Sequence, residues 1–326
     1  MHSINQKAER FRELLDGPRG IVLPGCFDTL SAMILQRAGF EAVFMSGYGV
    51  AASFLGNPDI GLTSLVETAW LTKNISHAID LPLVVDADNG YGNEDSVVRT
   101  VHELEHAGAA AMILEDQVFP KRCGHAAGKA ILPLDQYMRK LECALEARRT
   151  PMCIVARTDS MSMDEGIARA RRFHAAGADV TLIDGLASVE ALTRVGREVP
   201  GHKVINLIHG GKTQLLPSSE LHALGFKIVL YSTPALYVAA NAMAKAMTTL
   251  RETGELASIS DESTTFREFQ HFIEGRYFRR PGSEGLGRAA RANEESGGAS
   301  TRGFNGAVSP RITSSAVAGA RSRRDA

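Results

Sequence analysis

Short apolar runs alternate with longer segments of helical periodicity along most of the chain. The runs are rich in β-branched residues, which is typical of buried strands, whereas the segments between them repeat apolar residues at helical spacing. Eight runs are predicted to be strands, at 21–23, 42–45, 83–85, 111–114, 153–156, 180–183, 204–208 and 228–230. The segments between them are predicted to be helices, at 30–38, 65–79, 97–107, 134–147, 165–176, 189–199 and 219–224.

This alternation implies parallel strands joined by helical crossovers. Eight strand–helix units within roughly 230 residues match the (β/α)8 barrel, an α/β fold of the TIM type. A doubly wound open sheet is the alternative, but the first turn lacks the pattern G-x-G-x-x-G expected of a dinucleotide fold. Several predicted helices end in a glycine, which is a frequent helix stop, at Gly39, Gly108, Gly177 and Gly225. We therefore predict the barrel.

Further helices are predicted outside the eight units. A helix over 7–15 precedes the first strand, a long helix rich in Ala and Met over 234–250 follows the last, and an amphipathic segment covers 263–273. Two roles stay open for the C-terminal helices, contact with another subunit or a lid on the chain's own barrel. We assign residues 1–275 to the barrel with its added helices, and the Gly-, Ser-, Ala- and Arg-rich residues 281–326 to a disordered tail.

Composition narrows the class of protein. The 326 residues are 44% hydrophobic with a formal charge of −1, which is typical of a globular chain and argues against non-specific nucleic-acid binding. No apolar run reaches membrane-spanning length, and the charged N-terminal segment does not resemble a secretory signal. The four cysteines lack the spacing of a zinc site or a disulfide framework. We expect a cytoplasmic protein with reduced thiols and without nucleic-acid or membrane partners.

Polar side chains follow the predicted strands, at the end of the barrel where TIM-barrel active sites lie. They form a ring that exceeds what loops require: Asp28, Ser46, Tyr48, Asp86, Asp88, Glu115, Asp116, Gln117, Arg157, Asp159, Asp184, Asn206, Tyr231 and Ser232. Arg157 has the planar fork that suits a substrate carboxylate, or alternatively a salt bridge to one of these acids. We therefore expect the active site at this end.

The stretch 81–92 has the strongest chemical signal. Residues i and i+2 of an extended segment point to the same side, so Asp86 and Asp88 are predicted to share one small volume. With Glu115 they form a set of hard oxygen ligands suited to Mg²⁺, whose remaining positions are usually filled by water. A turn without a metal is the alternative, because Asp, Asn and Gly are common loop residues.

The loop after the fourth strand carries an unusual cysteine. Cys123 is flanked by Lys121, Arg122 and His125, and these cationic groups are expected to lower its pKa towards that of a reactive thiolate. Such a group exchanges a proton near neutral pH or acts as a nucleophile, and nearby glycines suit a loop that opens and closes. A basic surface loop with an incidental thiol is the alternative. The other three cysteines lie in apolar segments and are predicted to be packing residues.

At these residues the sequence resembles the isocitrate lyase/phosphoenolpyruvate mutase superfamily. The resemblance covers most of the chain, from Phe11 to Ile273, and leaves out the tail. It is carried by Ser46-Gly47, Asp59, Asp86-Ala87-Asp88-Asn89-Gly90-Tyr91-Gly92, Glu115-Asp116-Gln117, Lys121-Arg122-Cys123-Gly124-His125 and Ala156-Arg157-Thr158-Asp159. The loop motif that contains Cys123 resembles the lyase branch, in which the cysteine is the catalytic acid or base.

The resemblance implies an Mg²⁺-dependent barrel, with Mn²⁺ as an alternative ion, that acts on small 2-oxo or 2-hydroxy dicarboxylates or tricarboxylates. Asp88 would bind the ion directly, and Asp59, Asp86 and Glu115 would hold its water ligands. The implied substrate-binding residues are Ser46, Gly47 and Arg157 at the 2-oxoacid carboxylate, Gly124, His125 and Asn206 at the other carboxylate, and Asp184 in the same pocket. The resemblance also implies a homotetramer with the C-terminal helix exchanged between neighbours.

The reaction implied by the resemblance is a retro-aldol cleavage of a C–C bond. The metal stabilises the developing oxoacid, while the other fragment leaves as a carbanion that Cys123 protonates. Tyr48 is the candidate base that takes the proton of the substrate hydroxyl. Lys121 is expected to be catalytic together with Cys123 and Tyr48.

The sequence departs from the methylisocitrate lyases around the last three strands. Ile208 and His209 replace Thr and Glu, Asp184 replaces Glu, and Ser232 follows Tyr231 where proline is usual. An apolar Ile208 suggests a pocket with one fewer polar partner, so we favour a substrate without a third carboxylate, such as an alkylated malate. An oxaloacetate hydrolase or decarboxylase and a carboxyphosphonoenolpyruvate phosphonomutase stay open within the same fold. Outside enzymes, the alternative is a scaffold barrel that uses the tail for contact.

Overall fold

The computed structural model describes residues 2–124 and 128–277. Its eight strands are parallel and form a closed barrel in chain order, in which the first strand pairs with the second and the eighth. The strands are β1 (Ile21–Cys26), β2 (Val43–Met45), β3 (Leu83–Asp86), β4 (Ala111–Glu115), β5 (Cys153–Thr158), β6 (Val180–Ile183), β7 (His202–Leu207) and β8 (Ile228–Tyr231). Each predicted strand overlaps one of these, so the predicted (β/α)8 barrel is confirmed.

Helices precede, connect and follow the strands. They are α1 (His2–Asp16), α2 (Thr29–Arg37), α3 (Gly47–Val50), α4 (Leu65–Ala78), α5 (Glu94–Ala107), α6 (Leu134–Ala147), α7 (Met163–Ala175), α8 (Val189–Glu198), α9 (Ser218–Ala223), α10 (Pro234–Thr253) and α11 (Phe266–Tyr277). The four glycines predicted to end helices all have φ between 88° and 101°, in the left-handed region that favours glycine.

The helical segment directly after β2 has no counterpart in the predictions. It consists of α3 and a π-helix (Ala51–Leu55). Gly47 and Gly49 give this segment a low intrinsic helix propensity. The Ser46 hydroxyl nevertheless accepts a hydrogen bond from Gly49 N at 3.2 Å, which caps the first turn. The segment therefore depends on its cap and not on a periodic apolar pattern.

Asp28 caps the start of a helix and does not act as part of the ring of polar residues. Its carboxylate accepts a hydrogen bond from Ser31 N at 2.7 Å, and the Ser31 hydroxyl accepts one from Asp28 N at 3.1 Å. This reciprocal pair is a capping box at the start of α2. The expectation that Asp28 belongs with the other polar strand ends is therefore wrong.

The interior of the barrel consists of an apolar layer under a polar layer. Side chains two positions apart on a strand point to the same face. The apolar layer contains Phe44, Val84, Ile113, Val155, Leu182, Val204 and Leu230, all of which belong to one buried cluster. Two positions later come Ser46, Asp86, Glu115, Arg157, Asp184, Asn206 and Ser232. The strand periodicity therefore places seven polar residues at one end of the barrel.

The α1 helix contributes to the packed interior. Ala8, Phe11 and Leu15 are buried in the same cluster as the apolar layer. The barrel is therefore filled by side chains and is not a pore. Cys26 and Cys153 belong to the buried clusters, as predicted for packing residues, whereas Cys143 is only partly buried.

The chain divides after Ala242 into two compact units. The first contains the barrel and the start of α10, and the second contains the rest of α10, a 3₁₀ helix (Leu256–Glu262) and α11. The assignment of residues 1–275 to one domain stays a prediction, and the expected tail at 281–326 lies outside the described residues. Within residues 2–124 and 128–277, no helix has both the length and the hydrophobicity needed to cross a membrane.

Candidate active site

Six of the seven residues of the polar layer, all except Glu115, line a small cavity at the C-terminal end of the barrel. Its volume is about 30 Å³, close to the volume of one water molecule. The lining residues are Phe44, Ser46, Tyr48, Asp59, Asp86, Ile113, Cys123, Gly124, Arg157, Leu182, Asp184, Asn206, Ile208, Leu230 and Ser232. Nine of the residues given a role in the predicted site therefore line one cavity, whereas Gly47, Asp88, Glu115 and Lys121 do not line it. A dicarboxylate would enter only if part of the wall moved.

A larger cavity of about 840 Å³ adjoins this site. Residues of α4, α5 and α6 line it, and it reaches Asp88 and Lys121. It lacks the loop cysteine and the arginine fork, which both line the smaller cavity. We therefore take the smaller cavity as the candidate active site.

A buried lysine pairs with two of the four carboxylates expected at the metal site. The Lys121 ammonium lies 2.5 Å from Asp59 and 2.6 Å from Asp88. Burial alone would lower the pKa of Lys121, but Asp88, Glu115, Asp86 and Asp59 together raise it well above its usual value. The four carboxylates therefore surround the positive charge of the Lys121 ammonium.

Asp88 lies in the turn after β3 and not in an extended segment. Its φ is +46°, a strained left-handed value for a residue other than glycine. Asp88 N donates a hydrogen bond to Asp86 Oδ1 at 3.3 Å, and the Asp88 carbonyl accepts one from Glu115 N at 2.9 Å. The extended geometry assumed for Asp88 is therefore wrong, but the turn still brings the two aspartates together.

The carboxylate cluster fits a hard divalent cation. Carboxylate oxygens are ligands that Mg²⁺ and Mn²⁺ prefer, and buried Glu115 Oε1 has no hydrogen-bond partner among the described residues. Within the described ranges, no three His, Cys, Asp or Glu side chains are arranged to enclose an ion. One direct ligand, Asp88, with waters held by the other carboxylates requires no such arrangement. An ion bound to Asp88 would occupy the position that the Lys121 ammonium takes in this structure.

Arg157 is held by three carboxylates at the wall of the cavity. Its guanidinium lies 2.9 Å from Asp159, 2.9 Å from Asp184 and 3.4 Å from Glu115. Burial would lower the pKa of Arg157, but these carboxylates raise it well above its usual value. The salt bridges considered as an alternative role are therefore present, and they fix the orientation of the fork.

A chain of hydrogen bonds links the ends of the last three strands. Asn206 Nδ2 donates to Asp184 Oδ1 at 3.2 Å, and Ser232 Oγ donates to Asn206 Oδ1 at 2.6 Å. All three residues line the cavity. They present a continuous polar wall to whatever the cavity binds.

The cysteine loop packs closely against the arginine. A Cβ atom added to Gly124 would lie 2.4 Å from Arg157 Nη2 and 2.0 Å from Asp184 Oδ2. Only glycine therefore permits this approach, which brings Cys123 to the cavity. His125 lies outside the described residues, and its role stays a prediction.

Three residues after β2 lie close to the carboxylates. Tyr48 lines the cavity, but a hydrogen bond with Tyr237 and burial raise its pKa to about 12. Tyr48 is therefore protonated near neutral pH and suits a hydrogen-bond donor better than the expected base. Gly47 N donates to Asp86 Oδ2 at 3.3 Å, while Ser46 both lines the cavity and caps α3. Substrate binding by Ser46 and Gly47 stays a prediction.

Buried ionic partners behind the arginine are not evident from the sequence. Lys129 Nζ donates to Asp159 Oδ1 at 2.8 Å, and both side chains are buried. Asp116 accepts from Asp159 N at 2.9 Å and pairs with Arg169 at 3.1 Å. The two aspartates follow predicted strands, but no pattern marks Lys129 in its loop or Arg169 on α7.

The titration of Asp88 gives a first prediction. Burial raises the pKa of Asp88 from 3.8 to about 6, against the opposing effect of Lys121. Between these pH values the folded state binds more protons than the unfolded state, so Asp88 favours folding less as pH rises from about 4 to 6. In metal-free buffer, the free energy of unfolding of Asp88→Asn should therefore fall less than that of wild type across this range, by at least about 1 kcal/mol. Urea titrations at several pH values measure the difference.

Asp135→Asn is the matched control, because the Asp135 carboxylate is exposed. Its free energy of unfolding should follow the wild-type pH dependence. A wild-type pH dependence in Asp88→Asn would contradict the assigned environment of Asp88.

Comparison with known proteins agrees with the fold and the motifs. A sequence profile of the phosphoenolpyruvate phosphomutase family matches residues 11–251. The chain is 40% identical over 270 residues to 2,3-dimethylmalate lyase of Eubacterium barkeri, which covers 82% of this chain and 93% of that protein. It is 36% identical over 273 residues to carboxyvinyl-carboxyphosphonate phosphorylmutase of Arabidopsis thaliana, with 81% and 80% covered.

A solved structure of oxaloacetate acetylhydrolase in complex with the inhibitor 3,3-difluorooxalacetate has the same fold. It matches with a TM-score of 0.78 and 31% sequence identity, and covers 91% of this chain and 99% of that chain. These relatives have three different activities in their names, so membership of the family does not by itself define the reaction. The chain belongs to the phosphoenolpyruvate phosphomutase family, within the phosphoenolpyruvate mutase/isocitrate lyase superfamily.

Proposed function

We propose that the protein is an Mg²⁺-dependent lyase that cleaves a C–C bond of a small 2-hydroxy dicarboxylate, such as an alkylated malate. The observation that supports this most is one cavity in which buried carboxylates, an arginine fork and a loop cysteine meet. The similarity to a 2,3-dimethylmalate lyase points to the same substrate class.

The carboxylate cluster is the proposed cation site. Asp88 would hold the ion directly, and Asp59, Asp86 and Glu115 would hold its water ligands, with the Lys121 ammonium leaving Asp88. The bound ion would supply Lewis-acid stabilisation of the oxygen that becomes the oxoacid carbonyl. Mn²⁺ prefers similar oxygen ligands and is the alternative ion.

The remaining roles fall to side chains around the cavity. Arg157, Ser46 and Gly47 would bind the carboxylate next to the hydroxyl-bearing carbon. The second carboxylate would lie against Gly124, Asn206 and His125. A substrate held at both ends has its central C–C bond fixed between the carboxylate cluster and the cysteine loop.

The proposed reaction breaks the bond between C2 and C3 of the substrate. The C2 hydroxyl loses its proton, its oxygen becomes a carbonyl, and the electron pair of the C2–C3 bond stays on C3. Cys123 Sγ then gives its proton to C3, which yields a 2-oxoacid and a saturated carboxylate. Because Tyr48 is protonated near neutral pH, a carboxylate of the cluster suits the role of base better.

The size of the cavity supports a loop that moves during the reaction cycle. A volume of about 30 Å³ is too small for a dicarboxylate, so the loop with Cys123 would open for entry. Its closure would then exclude water, which protects the carbanion until the thiol protonates it.

Apolar side chains in the wall favour a substrate with an alkyl group. Phe44, Leu182, Ile208 and Leu230 line the cavity beside the polar residues. None of them can bind a third carboxylate, whose burial without a partner would be costly. An alkylated malate therefore fits this wall better than methylisocitrate.

Hydrolysis of oxaloacetate to oxalate and acetate is the second candidate function. Addition of water to the keto group of oxaloacetate gives a gem-diol, in which a second hydroxyl stands where an alkylmalate has its C2 alkyl group. Ser232 and Asn206 supply polar atoms at the cavity wall that could bind this hydroxyl. Carbon–carbon cleavage of the diol would then follow the same course as cleavage of an alkylmalate.

Assembly through the C-terminal helices is a further part of the proposal. Within the described part of the chain, the α10 helix has no buried residue, and Val238, Met243 and Met247 are exposed apolar side chains on it. Exposed apolar residues of this kind often mark contacts between subunits. We propose a homotetramer in which this helix is exchanged between neighbours.

A product assay tests the proposed reaction. Wild type with Mg²⁺ is offered 2,3-dimethylmalate, methylisocitrate, isocitrate and oxaloacetate in parallel, and Cys123→Ser is measured alongside. We expect the alkylated malate to be cleaved fastest and Cys123→Ser to lose about 100-fold or more in rate, as for other general acids. Cys143→Ser, at a partly buried thiol outside the cavity, is the control and should keep wild-type rates.

Cleavage of methylisocitrate at a rate close to that of the malate would contradict the proposed substrate class. Full activity of Cys123→Ser would contradict the role of the thiol. Consumption of oxaloacetate alone would support the second candidate function instead.

Substitution of Ser232 separates the two candidate functions. Ser232→Ala removes a hydroxyl that a gem-diol would need and an alkyl group would not, so the ratio of oxaloacetate hydrolysis to alkylmalate cleavage should fall about tenfold or more. Ser219→Ala, at an exposed serine outside the cavity, should leave the ratio unchanged. Equal losses on both substrates in Ser232→Ala would count against a role in binding the second hydroxyl.

A further inference from the structure

A lysine on α6 is buried beside the turn that carries Asp88. The Lys140 side chain is 6% exposed, and its ammonium donates a hydrogen bond to the carbonyl of Asn89. Among the described residues, no carboxylate lies within salt-bridge distance of Lys140. Burial lowers the pKa of Lys140, against weaker opposing effects of Glu94 and Glu115. A buried ammonium without an ion pair is energetically costly, so its position needs a physical reason.

The turn that Lys140 contacts is strained on both sides of Asn89. Asp88 has φ +46° and Tyr91 has φ +60°, values that cost about 1–3 kcal/mol each outside glycine. Such a conformation persists only where its surroundings hold it. Two neighbouring contacts, Glu115 N to the Asp88 carbonyl at 2.9 Å and Tyr91 N to Asn89 Oδ1 at 3.2 Å, help to hold this one.

The carbonyl of Asn89 follows Asp88 by one peptide group. Only the φ and ψ rotations of Asn89 separate this carbonyl from the planar peptide group that follows Asp88, so a donor that fixes the carbonyl limits how far the turn with Asp88 can move. The ammonium of Lys140 is the side-chain donor to this carbonyl, and it comes from a helix packed outside the barrel. The contact thus ties the turn to α6.

We infer that Lys140 is a positioning residue for the cation site, which acts through the backbone of the Asp88 turn. The inference rests on the proposed cation site and adds a residue that lies outside the catalytic cavity. Groups that orient a metal ligand without touching the metal typically change metal affinity by about 10–100-fold. Loss of Lys140 should therefore weaken cation binding more than it weakens any property unrelated to Asp88.

Lys203 is a matched control for this inference. It is likewise buried, at 7% exposure, and donates to the carbonyls of Val199 at 2.9 Å and Gly201 at 3.0 Å. Burial also lowers the pKa of Lys203. Lys203 lies near the start of β7, at the opposite end of that strand from Asn206. It therefore has the same kind of burial cost as Lys140 but is not linked to Asp88.

The test is binding of Mn²⁺ to the full chain without substrate, followed by electron paramagnetic resonance, together with urea unfolding. Lys140→Met should raise the Kd for Mn²⁺ about tenfold or more. Lys203→Met should lose folding stability and keep the wild-type Kd. Lys140→Arg, which keeps the charge and a donor, should recover most of the affinity. If Lys140→Met does not fold, Lys140→Gln is measured in its place with the same expectation.

A wild-type Kd in the folded Lys140 variant would overturn the inference, and so would equal weakening in the Lys140 and Lys203 variants. Failure of wild type itself to bind Mn²⁺ would instead remove the proposed cation site, and the inference with it. Binding without substrate therefore separates an error about Lys140 from an error about the function.

Discussion

The concentration of buried negative charge at one end of the barrel is the constraint on which the site depends. Asp59, Asp86, Asp88 and Glu115 are all buried, and carboxylates so close together ionise only when a positive charge lies among them. Lys121 supplies that charge by reaching two of them directly. Because Lys121 begins the loop that carries Cys123, charge balance in the cluster and the position of the loop are linked. A divalent ion that took over the role of the ammonium would free this end of the loop.

The alternation of the strands explains how this charge can be buried at all. In each of seven strands an apolar residue of the packed interior is followed two positions later by a polar one, as in Val84 and Asp86 or Val155 and Arg157. The packed layer below supports the polar layer above, and neighbouring strands provide its ion pairs and hydrogen bonds. The same periodicity is visible in the sequence, which is why the barrel and the gathering of these polar residues at one of its ends could be predicted.

What could not be predicted depends on contacts between segments far apart in the chain. The left-handed conformation of Asp88 lies in a turn that is hydrogen-bonded to β4 at Asp88 and to α6 at Asn89, and no local pattern indicates it. Lys121 was expected to act on the thiol of Cys123, and no local pattern indicates that its ammonium also pairs with Asp59 and Asp88. The hydrogen bond with Tyr237 that raises the pKa of Tyr48 joins residues from opposite ends of the barrel sequence. Sequence patterns identify residues on a shared face, but not the partner that each side chain chooses.

In the proposed function, the carboxylate cluster binds a divalent cation in place of the Lys121 ammonium. The most direct test is a crystal structure of the protein grown with Mn²⁺, with the ion located by its anomalous scattering. We expect one site at about 2.1 Å from an Asp88 oxygen, with waters held by Asp59, Asp86 and Glu115, and with the Lys121 ammonium moved away from Asp88. An ion bound elsewhere, or a cluster that keeps the Lys121–Asp88 pair at saturating Mn²⁺, would contradict it.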